Sequence, residues 1–395
     1  MAQENFRHDE ENNRHTNPFG GALPPMAGPQ HEIGMPDPKL HSLLNLNPEL
    51  EKDRRKFDGQ AVIDQVRKNP NAARVTYTFA RCYHCLPLQM AIMLGASARV
   101  VDFLLELYPS SIQARDGYGS TLLHSACEFQ ASLEVTSTLL DKFPDATTEK
   151  DLNENTPLHS ACRCNPTPEM ILLLLQRNTD AIREKNKEGM TPLHSACSYQ
   201  ASVEVVSLLL EIWPAATMEK DNYGMTPLHN SCEFEAPFEV ISLLMNKYPA
   251  ACRENDRYGR TPLHSACWNN APERVLKMLL EEYPRAVSKN DLLMGSLQDY
   301  DFENQEVEKL VSNVYRLTCD KISNQDAKEI MTYFINAEWW GGAVLVVDSH
   351  PAVVNLVGVS DKCFPYLLSR VERSSKLLTT WQLLSNRQDL FANLI

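Results

Sequence analysis

Between residues 86 and 295 short apolar blocks alternate with short polar ones, and the blocks recur every 35 residues. Each period opens with a small-residue and apolar run of about ten positions, as at 191–200, TPLHSACSYQ. A polar turn such as Tyr199-Gln200-Ala201 follows. A second run, such as Glu204-VVSLLLE-Ile212, has a broad apolar face at helical spacing. An aromatic–Pro pair then stops the helix, because the residue before proline avoids the α region. A polar turn with Asp and Gly, such as Asp221-Asn222-Tyr223-Gly224, leads into the next period. The pattern predicts two short helices and one exposed turn per period.

The repeated columns have local physical reasons. Thr-Pro-Leu-His stands at 156–159, 191–194, 226–229 and 261–264, with Thr-Leu-Leu-His at 121–124 and the looser Leu86-Pro87-Leu88-Gln89 one period earlier. Thr is a good N-cap, and Pro fits the first helical position, where its missing N–H costs nothing. His at the third position can reach back to the cap, as in a capping box. Ala126, Ala161, Ala196 and Ala266, with Ser231 as the exception, precede Cys127, Cys162, Cys197, Cys267 and Cys232. These small side chains let a neighbouring helix approach. Second helices begin after Ser132, Thr167, Ser202, Pro237 and Pro272, with Glu134, Glu169, Glu204 and Glu239 favoured by the dipole of the first turn. Tyr108-Pro109, Phe143-Pro144, Trp213-Pro214, Tyr248-Pro249 and Tyr283-Pro284 close them, and only Asn178-Thr179 breaks that column.

The string Asp-x-x-Gly-x-Thr-Pro-Leu-His-x-Ala resembles the ankyrin repeat. The resemblance covers about six units over 86–295 and implies an all-α ankyrin-repeat solenoid, built of helix-turn-helix units with β-turn fingers. Two features depart from the usual pattern: the period is 35 rather than 33, and an aromatic–Pro pair replaces the usual glycine after the second helix. This variant is similar to expanded ankyrin families of unicellular algae, which bring no defined function with them.

Outside the array the pattern changes. Residues 1–50 hold seven of the 24 prolines and four of the 11 histidines without an amphipathic period, which predicts a disordered segment. Residues 51–85 read as a helical N-terminal half-repeat cap, with Phe57 to Val75 imitating a second helix and its proline exit. Asp291-LLMGS-Leu297 imitates a finger, but the following residues lack Thr-Pro-Leu-His. Residues 296–395 read as a helical capping extension, with helical spacing over Glu306–Leu317, Asp326–Ala337 and Leu377–Leu390. Within it, Trp339-Trp340-Gly341-Gly342-AVLVVDSHPAVV echoes 57–75. Terminal repeats need such covers for solubility.

Charge narrows the function. The chain carries a net −13, and 86–295 alone carries 18 basic and 27 acidic residues. An acidic surface repels phosphate backbones, so nucleic acid is not an expected partner. The longest apolar run is nine residues, Trp339 to Val347, against the ~20 a membrane span needs. Residues 51–85 are the basic stretch, with Lys52, Arg54, Arg55 and Lys56 at its start. A solvated helix entry is the first reading and nuclear import the second. The amino-terminal residues have no apolar signal core, so a cytoplasmic location and reduced cysteines are expected.

The 11 cysteines and 11 histidines invite a chemical reading. Stacked repeats set equivalent positions ~8–10 Å apart. A disulfide needs Cα atoms within ~7 Å, and zinc needs its ligands around one point. The periodic cysteines therefore read as core and the histidines as first-turn hydrogen-bonding groups. Cys82-Tyr83-His84-Cys85 is a lone CxxC, read here as part of a first helix, with a metal- or redox-linked module as the alternative. An unrecognised activity in the C-terminal region is a second alternative. No nucleophile elbow, P-loop or dinucleotide fingerprint is present, so no catalytic, cofactor or metal residues are assigned.

The leading expectation is a non-enzymatic scaffold or adaptor, monomeric by default, that binds a protein carrying a basic segment. The variable positions at the ends of the first helices name the site: Glu128, Phe129, Arg163, Tyr199, Glu233, Phe234 and Trp268. Tyr118, Tyr223 and Tyr258 add the finger tips. By the resemblance, both sets line the concave face.

Overall fold

The computed structural model describes residues 36–79, 82–288, 304–319 and 322–353. The chain divides into two compact units, 1–122 and 123–395. The described residues are mostly helical, and the repeats form a solenoid of helix-turn-helix units with turn-like fingers.

In the first unit, α1 (Pro38–Leu44), α2 (Glu51–Arg54) and α3 (Gly59–Lys68) precede a two-stranded antiparallel hairpin, β1 (Tyr77–Phe79) and β2 (Cys82–Cys85). Then come α4 (Pro87–Met93) and α5 (Ala98–Leu107). Two sequence readings are corrected here. Disorder was expected through residue 50, yet α1 is folded: Asp37 caps it by accepting from the Lys39 and Leu40 N–H groups, and Leu40 and Leu44 are buried. Its Asp-Pro start is a sound helix signal; the helix is too short to show a period. Expected disorder before residue 36 lies outside the described residues. Second, 51–85 is not helical throughout, since it ends in the hairpin and Cys82–Cys85 is a strand. α3, with the 3₁₀ turn Pro70–Arg74 after it, does have the form of a second helix and its exit.

The second unit takes up the pairs in order. They are α6 (Leu122–Glu128) with α7 (Leu133–Lys142), α8 (Pro157–Arg163) with α9 (Pro168–Arg177), and α10 (Pro192–Ser198) with α11 (Val203–Ile212). They continue with α12 (Pro227–Glu233) and α13 (Phe238–Lys247), then α14 (Pro262–Trp268) and α15 (Glu273–Glu282). Three further helices follow: α16 (Gln305–Cys319), α17 (Asn324–Asn336) and α18 (Trp340–Ser349). One hydrophobic core runs from Leu123 to Val353 and includes the periodic Ala and Cys column. α18 packs on α15: Trp339 Nε1 donates to Glu281 Oε1 at 2.7 Å, and Lys277 Nζ to the Ala337 carbonyl at 3.2 Å. The expected finger at 291–297 and helix at 377–390 lie outside the described residues.

Three devices recur in each unit. At the N-terminus of the first helix, the backbone N–H of Thr156, Thr191, Thr226 and Thr261 donates to Nδ1 of the histidine three residues on, at 3.2 Å in each case. After each second helix the aromatic residue turns extended, with φ near −140° at Tyr108, Phe143, Trp213, Tyr248 and Tyr283, and proline opens a 3₁₀ turn. Between the helices one residue is left-handed: Gly95, Gln130, Asn165, Gln200, Glu235 and Asn270, and again Glu338 before α18. Except at Asn165, which is followed by Pro166, that residue makes a Schellman end. The next N–H donates back to the helix, as from Ala201 to the Ala196 carbonyl at 2.9 Å and from Trp339 to Phe334 at 2.8 Å. Glu338 and the 3₁₀ turn Pro351–Val353 give α17 and α18 the form of another repeat, in keeping with the echo of 57–75 in the sequence from Trp339 on.

A side chain at positive φ costs about 1–2 kcal/mol, which glycine avoids. Glu235, at φ 53°, is exposed. Glu235→Gly is expected to stabilise the fold by about 1 kcal/mol and raise Tm by roughly 2–4 °C in a calorimetric scan. An unchanged or lower Tm would show that this turn carries no strain.

Candidate functional site

The first helices α8, α10, α12 and α14 lie side by side in the second unit, so their last turns form a row. Glu128, Arg163, Ser198, Glu233 and Trp268 end the helices, and Phe129, Cys164, Tyr199, Phe234 and Asn269 stand next in the chain. The cap residues turn outward because the left-handed residue follows them. Tyr199 is 45% and Phe234 40% exposed, whereas Phe129, Arg163, Glu233 and Trp268 are half-buried. Two of the left-handed residues also fasten the row. Gln130 Nε2 donates to the Cys164 carbonyl at 2.6 Å, and Gln200 Nε2 to the Phe234 carbonyl at 2.9 Å. Arg163 stacks over Tyr199, 4.9 Å from the ring centre. The sequence placed these residues in adjacent columns but did not show that the array supplies its own cation to one ring.

The fingers are built on one acceptor each. Asp116, Asp151, Asn186, Asp221 and Asp256 accept through Oδ1 from the N–H groups two and four residues on, at 2.8–3.0 Å. Successive fingers join through the backbone: Lys187 N–H to the Asn153 carbonyl, Asn222 to Glu188 and Arg257 to Tyr223, at 2.8–2.9 Å. Glu154 holds the left-handed turn position at the first of these junctions, and glycine holds it at the other two, where the next finger comes close. A Cβ on Gly224, at φ +77°, would stand 2.9 Å from the Arg257 nitrogen. Tyr223 is exposed, while Tyr118 and Tyr258 are half-buried. Arg257 lies 4.3 Å from the Tyr223 ring centre and 4.6 Å from that of Tyr258, tying two predicted tip residues together. Behind the tips, Lys150, Lys185 and Lys220 pair with Glu184, Glu219 and Glu254, each at 2.9 Å. These pairs are half-exposed, so each contributes no more than about 1 kcal/mol.

The lone CxxC is the first finger. Tyr83 occupies the column of Tyr118, Tyr223 and Tyr258, and its carbonyl accepts from Gly117 N–H at 2.9 Å, as in the later fingers. His84 is left-handed at φ 54°, in the column where Gly119, Gly189, Gly224 and Gly259 stand. Cys82 and Cys85 are buried and not joined in a disulfide, with Cys82 Sγ 4.0 Å from Asp116 Oδ2. Tyr83, 54% exposed, therefore joins the tip residues; the missing glycine hid it. Among the described residues no cluster of three or more His, Cys, Asp or Glu is placed to hold a metal ion.

The periodic histidines are latches. With Nδ1 accepting from the cap, Nε2 carries the proton and donates to a carbonyl 31 residues on. His124 reaches Asn155, His159 Met190, His194 Met225 and His229 Arg260, at 2.9–3.2 Å. Gln89 fills the same column in the first unit, and its Nε2 donates to the Ser120 carbonyl at 3.2 Å. Burial pushes His159, His194 and His229 down to about 4. It pushes the thiols up: Cys197 and Cys267 to about 12, Cys127, Cys162 and Cys232 also well up, and the half-buried Cys164 to about 11. These groups are neutral at pH 7, and both ring nitrogens of His159, His194 and His229 are used within the array.

A family model described as ankyrin repeats (three copies) matches residues 88–183, 139–218, 167–256 and 213–291. No curated protein matches the chain. No helix among the described residues is long and apolar enough to cross a membrane.

The histidines set a pH dependence. Their folded values lie below the unfolded value of ~6.5, so the unfolded chain binds protons first. Their stabilisation is complete above ~6.5 and is lost as pH falls toward the folded value of about 4. At pH 5 each of the three is expected to cost about 2 kcal/mol. Urea midpoints should therefore drop steeply between pH 7 and 5. His194→Gln, which copies Gln89, should keep the fold and remove about a third of that drop in unit 2 attributable to these three. An equally steep drop in the variant would show that His194 is not a buried neutral latch.

Proposed function

The chain belongs to the ankyrin-repeat family, and we propose that it works as such repeats generally do, as a protein–protein interaction module and not as an enzyme. The observation that carries this reading is the row of first-helix ends. Tyr199 and Phe234 are held out into solvent by a rigid, repeated backbone end, with Glu128, Phe129, Arg163, Glu233 and Trp268 beside them. Aromatic and arginine side chains at such positions are the usual anchors of an interface. Tyr223 and Tyr258 offer a second contact line at the finger tips of the second unit, Tyr118 is the corresponding tip residue of the first, and in this family first helices and fingers border the concave face. The histidines and cysteines that would suggest chemistry are spent on latches and packing. The acidic balance of 86–295 favours a partner segment that is basic. A cytoplasmic setting fits the nine cysteines that stand outside any disulfide among the described residues.

Affinity purification from the native cell, followed by calorimetry with the purified partner, tests this. Tyr199→Ala combined with Trp268→Ala should weaken binding at least tenfold, about 1.4 kcal/mol, and leave Tm within a few degrees. Unchanged affinity would move the interface away from the first-helix row.

A further inference from the structure

The row already contains one guanidinium seated on an aromatic ring. Arg163 lies over Tyr199, which is exposed, and Glu128 occupies the column of Arg163 one repeat earlier. One repeat further on, the acid and the ring recur. Glu233 ends α12, Phe234 is 40% exposed at the cap, and Glu235 follows it on the surface. Among the described residues no Lys or Arg stacks on Phe234, although the same array stacks Arg274 on Phe238, 4.6 Å from the ring centre.

A second observation lies beneath. Asn230 stands three residues before Glu233 and four before Phe234, so it shares their helix face. Its Nδ2 donates to Ser198 Oγ at 2.8 Å. Its Oδ1 has no hydrogen-bond donor, although the residue is only 2% exposed. Ser265 Oγ, in the same column of α14 and 1% exposed, also has no partner. An unmatched buried acceptor costs about 1–3 kcal/mol. The other units carry Ser125, Ser160, Ser195 and Ser265 at this column, so only here does the helix face hold an amide oxygen awaiting a donor.

We propose that Glu233, Phe234, Glu235 and Asn230 form a subsite for an arginine side chain of the protein partner, a proposal that rests on the interaction-module reading. The flat guanidinium stacks on Phe234 as Arg163 does on Tyr199. Its N–H groups turn toward the two carboxylates and, with a small rearrangement of the helix face, toward Asn230 Oδ1. Lysine has neither the flat face nor the fork of donors. Trp268, in the column of Glu233 on the next first helix, borders the subsite and reports on it.

The probe is acetyl-Gly-Arg-Gly-amide, with its citrulline counterpart, which keeps the shape and loses the charge. The full chain is labelled with 5-fluorotryptophan, and the Trp268 fluorine resonance, assigned with Trp268→Phe, is followed. The arginine peptide should shift it saturably, with Kd on the order of 1–10 mM, while citrulline leaves it unmoved. Glu233→Gln and Asn230→Ser should each weaken binding roughly three- to tenfold. Asn230→Ser installs the residue the other units carry, so it keeps the fold. The subsite is overturned by the absence of a saturable shift up to about 50 mM, by an equal response to citrulline, or by undiminished binding in both variants. Should arginine binding fail while Tyr199→Ala with Trp268→Ala still loses the partner, the interaction module stands and the subsite alone falls.

Discussion

The repeats depend on one hydrogen bond. In four successive repeats the first turn holds a histidine, and that histidine donates its remaining proton to the backbone of the next repeat, as His194 does to Met225. The bond does two things at once. It fixes the tautomer, because Nδ1 is committed to the cap, and it sets the spacing between neighbours to a single value. A buried imidazole with both nitrogens engaged must be neutral, so the period of the array and its acid sensitivity have the same origin. Gln89 shows what the column requires. A neutral side chain with an N–H at the right reach serves as well, and no catalytic property of histidine is in use.

With the latch fixed, the freedom left to the sequence is confined to particular columns. Ala and Cys between the helices cannot grow, and the finger acceptor cannot lose its carboxamide or carboxylate oxygen. The last turn of the first helix and the cap after it touch no such constraint. They hold Phe129, Cys164, Tyr199, Phe234 and Asn269 in successive units. The candidate site is thus what the stacking requirements leave over, which is why an array of near-identical units carries a surface that differs at each step.

The same logic explains what could be read without coordinates. Thr-Pro-Leu-His, the small column and the aromatic–Pro stop were legible because each is a local rule repeated in register. Where the rule was kept by a different residue, the element was hidden. Cys82–Cys85 is a finger, but His84 takes the left-handed position that glycine takes at 119, 189, 224 and 259, so the string read as part of a first helix, with ligand chemistry as the alternative. α17 was legible as a helix, and α18 with its Pro351 turn as an echo of 57–75, whereas the left-handed Glu338 between them has no signature in the sequence. The candidate site residues were chosen by column, whereas the stack of Arg163 on Tyr199 joins two repeats and has no signature in either.

The left-handed column shows how stability and surface are weighed against each other. Glycine at all of these positions would relieve strain, yet in the second unit the chain keeps Gln130, Asn165, Gln200, Glu235 and Asn270. For Gln130 and Gln200 the compensation is visible: each side chain crosses to the cap carbonyl of the next unit, at Cys164 and Phe234, and holds the backbone of the row. Glu235 is exposed in the same column, so its strain is offset by no such crossing bond. What it contributes is a carboxylate beside Phe234. Strained backbone retained beside an exposed ring is a local cost that packing does not explain.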